Sequence, residues 1–90
     1  MAKIRIPKLL DKYSGGKTEL NFSGRTVREL LENVKTEFPN LYGCICDDTG
    51  RLRQHVNIFV NDELLIDRVH FASQISDSDV VNIFQSVSGG

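Results

Sequence analysis

Thr26-Val27-Arg28-Glu29-Leu30-Leu31-Glu32-Asn33-Val34-Lys35-Thr36-Glu37-Phe38-Pro39 is the stretch on which the fold turns. Val27, Leu30, Leu31, Val34 and Phe38 fall at i, i+3, i+4, i+7 and i+11, the single apolar stripe of an amphipathic helix. Thr26 is placed to cap its N-terminus, and Glu29 completes a capping-box pattern. Pro39 disfavours helical geometry at Phe38, so the helix ends there or slightly earlier. Arg28, Glu29, Glu32, Asn33 and Lys35 form the opposite, solvated face. Arg28 and Glu32 can pair across one turn, a contact worth about 0.2–0.5 kcal/mol that says nothing about function.

Upstream, Lys3-Ile4-Arg5-Ile6 alternates like a half-buried strand and stops at Pro7. Tyr13-Ser14-Gly15-Gly16-Lys17 has turn chemistry, and Thr18-Glu19-Leu20-Asn21-Phe22 alternates again, so the two strands read as a hairpin with a long loop. Downstream, residues 40–55 read as a loop. Val56-Asn57-Ile58-Phe59-Val60 is a strand with Val56, Ile58 and Val60 inward, and Asn61-Asp62 is a turn. Glu63–Ile66 reads as a short strand, Ile75 as an anchor in an irregular stretch, and Val80–Val87 as the final strand. Strands and the helix segregate instead of alternating, which indicates an α+β layer with one main helix on a mixed sheet of about five strands. First and last strands lying parallel at the centre satisfy the connection rules. That arrangement is the β-grasp, or ubiquitin-like, fold: a domain over residues 1–87 and a Gly-Gly tail over 88–90.

Composition narrows the function. Ninety residues make one small domain. Eleven Lys and Arg against twelve Asp and Glu give a net charge of −1, which removes the main argument for nucleic acid or an anionic membrane as partner. The start, Met1-Ala2-Lys3-Ile4-Arg5-Ile6-Pro7, lacks the apolar core of a secretory signal, and two cysteines make no multi-bridge framework, so a reducing cytoplasm is expected. His55 and His70 read as surface residues outside any nucleophile–base grouping. Cys44-Ile45-Cys46 has no second pair at zinc spacing and half the thiols of an iron–sulfur site. Asp47-Asp48-Thr49 is an incomplete calcium loop, and Gly16-Lys17-Thr18 is only a fragment of a phosphate-binding loop. No catalytic residue, metal ligand or bound cofactor is expected.

The remaining candidate is the end of the chain. At average usage a terminal Gly-Gly arises by chance in about one chain in 200, and here it directly follows the last strand. Without side chains, Gly89-Gly90 can enter a narrow channel with backbone donors closing around it. Ser88, Gly89 and Gly90 reach at most about 10–11 Å beyond Val87, enough to place an acyl group in a neighbouring enzyme. Ile6-Pro7, Gly15-Gly16, the helix opening at Thr26, Val56-Asn57-Ile58-Phe59-Val60-Asn61-Asp62 and Val87-Ser88-Gly89-Gly90 together resemble the prokaryotic sulfur-carrier proteins of the MoaD, ThiS and CysO group. The nearest likeness is to the CysO branch, and it spans essentially the whole chain. The Cys44/Cys46 loop departs from the group's pattern, and the resemblance implies no role for it.

The resemblance implies a protein cosubstrate that is not itself an enzyme. An ATP-using adenylating enzyme would join the Gly90 carboxylate to AMP, and sulfide, or a persulfide whose S–S bond a thiol then cleaves, would displace AMP to leave a thiocarboxylate. Val87, Ser88 and Gly89 would occupy the partner's channel. In the CysO-like branch the sulfur acceptor is an amino-acid intermediate on a pyridoxal-phosphate synthase, and a metalloprotease then regenerates the Gly-Gly end. Cysteine- or homocysteine-type synthesis is the favoured destination. The alternatives are a ubiquitin-like modifier joined through Gly90, the small subunit of molybdopterin synthase, or a plain interaction domain with an inert tail. Strand parity turns Phe59 and Phe84 outward as a docking patch, whereas a register shift of one residue would bury both.

Overall fold

Pro39 divides the middle of the chain into two helices. The first, α1, runs Val27–Glu37. The Glu29 N–H donates to Thr26 Oγ1 at 3.2 Å, as an N-cap requires. The Glu29 carboxylate accepts instead from the Arg25 N–H at 3.0 Å, one residue before the partner that a capping box uses. Phe38 leaves helical geometry (φ −133, ψ 71), as its position before proline dictates. The second helix, α2, Pro39–Ile45, corrects the expectation of a loop from residue 40. Pro39 suits a first helical turn, and Leu41 and Ile45, one turn apart, are fully buried. Seven residues are too few to display a 3.6-residue period, so tertiary burial sustains this helix.

The structure, a computed structural model, describes residues 1–85. Its sheet comprises β1 (Ala2–Arg5), β2 (Glu19–Phe22), β3 (Val56–Val60), β4 (Glu63–Leu64) and β5 (Val80–Gln85), in the order β2-β1-β5-β3-β4. β1 and β5 are parallel at the centre and the other neighbours are antiparallel, the β-grasp arrangement. The β1–β2 connection holds a 3₁₀ turn, Lys8–Tyr13, followed by Gly15 and Gly16 at φ 68 and 83, a region that suits glycine. The short β4 ends before the expected Ile66: Leu65 turns inward and donates its N–H to the Ile58 carbonyl, while Ile66 is 81% exposed. The last two residues expected in β5, 86 and 87, lie outside the described residues.

Val27, Leu30, Leu31 and Val34 pack on the sheet face formed by Ile4, Ile6, Ile58 and Val81, all buried. Phe38, the last member of the stripe, is half-buried where α1 gives way to α2. Ile58 stands opposite Ile83, and both point inward, so the sheet register is the one that turns Phe59 and Phe84 out. The segment from Asp67 to Ile75 straps the start of α1. Its Phe71 and Ser73 carbonyls accept from the Arg28 and Val27 N–H groups, which would otherwise be orphaned at a helix start. The Asp67 carboxylate holds the strap by accepting from the N–H groups of Val69, His70 and Ala72. These donors, His70 first, pull its pKa down to about 2. No helix among the described residues is long and apolar enough to cross a membrane.

Candidate functional site

Two features of β5 define the site: the face it turns away from α1, and the place where it ends. On the open face, Phe59 and Phe84 meet edge to face, with ring centroids 5.4 Å apart and planes at 88°. They are diagonal neighbours, because Asn57 pairs with Phe84 and Asn82 with Phe59. Phe84 is 54% exposed and Phe59 is half-buried beneath it. Leu64 lies directly opposite Phe59 on β4 and is 46% exposed, extending the apolar stripe across three strands. Asn61, Asp62 and Asn82 border a shallow depression beside the rings. Parity along β3 and β5 located both aromatics. Leu64 escaped, since its facing depends on which residue of β3 it pairs with, and a two-residue strand has no alternation to read.

The course of β5 is set at both ends. At its start, Asn61 sits at φ 55, a conformation asparagine tolerates. Its side chain donates to Asp79 and accepts from the Val80 N–H, both at 3.0 Å. The Asn61 amide holds the Asp79 carboxylate below its usual range. At its end, Gln85 pairs with Val56, where β3 begins. Beyond the short β4, the guanidinium of Arg68 takes over the edge of β3. It donates to the Val56 carbonyl at 2.8 Å, the Arg53 carbonyl at 2.6 Å and Asn57 Oδ1 at 3.0 Å. Arg68 therefore braces the start of β3, the segment against which Gln85 pairs. Nothing in the sequence marks it, because its partners are backbone carbonyls brought together only by the sheet.

Val87, Ser88, Gly89 and Gly90, the expected channel residues and acyl carrier, lie outside the described residues. His55 borders the end of β5, and His70 lies in the strap, far along the chain from it. Cys44 and Cys46 are free thiols, the first half-buried and the second 1% exposed. Burial pushes the Cys46 thiol pKa up, which keeps it protonated and unreactive. Asp47, from the acidic loop, accepts from the Thr49 hydroxyl and from the Thr49 and Arg51 N–H groups, so its carboxylate closes a turn. Among the described residues no group of three or more His, Cys, Asp or Glu side chains is placed to hold a metal ion.

The ThiS family profile matches residues 4–90 of the chain. The sulfur carrier protein CysO of Mycobacterium tuberculosis is 30% identical over 89 residues, covering 97% of this chain and 96% of that protein. Small archaeal modifier protein 3 of Haloferax volcanii is 31% identical over 65 residues, 72% of this chain and 70% of that one. Among solved structures, that of the Amycolatopsis orientalis BexX/CysO complex contains a chain that superimposes with a TM-score of 0.87 over 100% of both chains at 24% identity, a likeness of fold. An open aromatic face, a locked central strand leading to Gly-Gly and a full-length family match converge on one assignment: this chain belongs to the ThiS family, the ubiquitin-like β-grasp sulfur carriers, and is CysO-like.

Proposed function

We propose that Gly90 carries sulfur as a C-terminal thiocarboxylate and that this chain is the cosubstrate, not the catalyst, of the enzymes that load and unload it. The observation that carries this reading is the match to a sulfur-carrier family that extends through residue 90, where the chain ends in Gly-Gly. A carboxylate is a poor electrophile. Its oxygen attacks the α-phosphate of ATP in an adenylating enzyme and expels pyrophosphate. The resulting acyl-adenylate then loses AMP to a sulfide-level nucleophile. The thiocarboxylate sulfur is polarisable and anionic near neutral pH, and donates to an electrophilic amino-acid intermediate. Cysteine-type synthesis is the destination that the CysO likeness favours. There the acceptor is held on the synthase's own pyridoxal phosphate, and a metalloprotease restores the Gly-Gly end. Phe59, Phe84 and Leu64 form the docking face for the adenylating enzyme, since an exposed apolar cluster rimmed by amides is suited to protein contact.

Intact-mass measurement of the protein from its native cells tests this reading, with a sulfur-for-oxygen increment confined to the C-terminal peptide as the expected result. The similarity to a small archaeal modifier supports a second reading, in which the same adenylate is passed to lysine amines of other proteins. Isopeptide adducts without the sulfur increment would replace the first reading by the second. Neither signal would overturn both.

A further inference from the structure

Beside Gln85, the last described residue of β5, lies a cleft of about 500 Å³ whose described lining is one-sided in charge. Leu9, Lys12, Tyr13, Cys44, Arg53 and His55 line it together with Gln85, and none of the described residues that line it is a carboxylate. Leu9 is 70% exposed at its rim. The Arg53 Nε–H donates to the Gly43 carbonyl at 2.7 Å, which fixes the guanidinium at the wall, and Lys12 Nζ stands 5.3 Å from the centre of the Tyr13 ring. At the start of β5 a second cleft is lined by Asp62, Glu63, Asp67 and Asp79, with no cation among the described residues that line it. A net charge of −1 therefore conceals two clefts of unlike lining, Lys12 and Arg53 beside Gln85 and four carboxylates near the start of β5.

Geometry ties the positive cleft to the tail. Residues 86–90 follow Gln85, and five residues span at most about 18 Å. An enzyme that reacts with Gly90 must bring the mouth of its active site within that distance of Gln85, which puts the surface around Gln85 next to the tail entrance. We propose that the Lys12–Arg53–His55 cleft is a second contact surface, distinct from the aromatic face, for the adenylating enzyme, and that the enzyme's tail entrance is acidic. This inference rests on the carrier reading above. Opposite charges across such a rim orient the encounter tail-first and raise the association rate, an effect that salt screens. Leu9 adds an apolar anchor beside the charges.

The test is ATP–pyrophosphate exchange with the source organism's adenylating enzyme, with the carrier as the varied substrate. Lys12→Glu is expected to raise the KM for the carrier about tenfold at low salt with kcat unchanged, the mark of a contact made equally in ground and transition states. Its KM should depend less on ionic strength than that of wild type, and Leu9→Ala should raise KM without that change in salt dependence. Glu63→Lys, at the other end of β5, is expected to leave KM unchanged. Alkylation of Cys44 in the wild-type carrier, read by peptide mass, gives an arm that needs no variant: saturating enzyme should slow it. Wild-type exchange with KM unaltered in Lys12→Glu and Cys44 unprotected would overturn the contact while leaving the carrier reading intact. Protection of Cys44 by the carrier's own concentration would overturn it in favour of a second copy on this surface. Absence of exchange by wild type would overturn the carrier reading and this contact with it.

Discussion

The two faces of one sheet divide the work of this small domain. On the covered face, Ile4, Ile58, Val81 and Ile83 disappear beneath α1. On the open face the same strands present Phe59, Phe84, Asn57 and Asn82, and β1 adds Lys3 and Arg5, both paired with Glu19 at 3.6 Å. Alternation along a strand permits this split, because successive side chains point to opposite sides. Apolar area buried under the helix stabilises the fold, whereas apolar area left on the open face is available to a partner. The division is sharp enough to break by experiment: changes on one side should move stability, and changes on the other should move activity.

The largest expected effect lies beyond both faces. Deleting Gly90, or placing a bulky residue at Gly89, should abolish ATP–pyrophosphate exchange and leave the thermal melt near wild type. Shortening the chain moves the reacting carboxylate by about 3.3–3.6 Å, where a 1 Å error already costs roughly a hundredfold in rate. Exchange at the wild-type rate by the truncated chain would refute the carrier mechanism. Next, Leu30→Ala on the covered face should cost about 2–5 kcal/mol in denaturant unfolding, since it opens a cavity in a modest core. A loss below about 1 kcal/mol would mean that the α1 stripe is not what holds the sheet. On the open face, Phe84→Ala should weaken binding to the adenylating enzyme by about 1–2 kcal/mol, the range of a contact anchor, with little change in melting. If stability fell and binding did not, the assignment of the two faces would be reversed.

A smaller effect is pH-dependent. The Asp67 carboxylate titrates at about 2 in the folded chain, well below the usual carboxylate range, because the backbone N–H groups of the strap donate to it. A depressed pKa contributes stability that is present above pH 4 and is lost as pH falls from about 4 toward 2. Asp67→Asn should therefore flatten the acid limb of stability against pH, and an unchanged acid limb would remove the strap's carboxylate from the account. The smallest expected effect is that of Cys44→Ser/Cys46→Ser. Sulfur loading should persist, because the reacting atom belongs to Gly90, although Cys46→Ser places a hydroxyl in a buried site and should lower the melt modestly. Loss of loading in the folded double variant would assign the thiols a chemical role.

Residues with a local cause were legible. The α1 stripe, Thr26, the proline boundary and the parity of β3 and β5 depend on neighbours within a few positions. What was hidden depends on partners far along the chain. The α2 helix, seven residues long, was missed because it is sustained by burying Leu41 and Ile45 and not by a visible period. Leu64 joins the aromatic face only through its pairing with Phe59. Arg68 finds its three acceptors only once β4 has stopped short and left the edge of β3 open.

Hydrophobic periodicity and turn residues by themselves determined a β-grasp domain, and the motifs Val56–Asp62 and Val87-Ser88-Gly89-Gly90 carried the resemblance to the sulfur carriers, because each is a short-range pattern of consecutive residues. Tertiary structure alone decided the unlike linings of the two clefts beside β5. Lys12, Arg53 and His55 converge because the end of a central strand gathers segments from the hairpin turn, α2 and the entry to β3. Asp62, Glu63, Asp67 and Asp79 converge at its start in the same way. A near-neutral total cannot reveal such a separation, since net charge sums over the chain while a partner meets the field of one surface at a time.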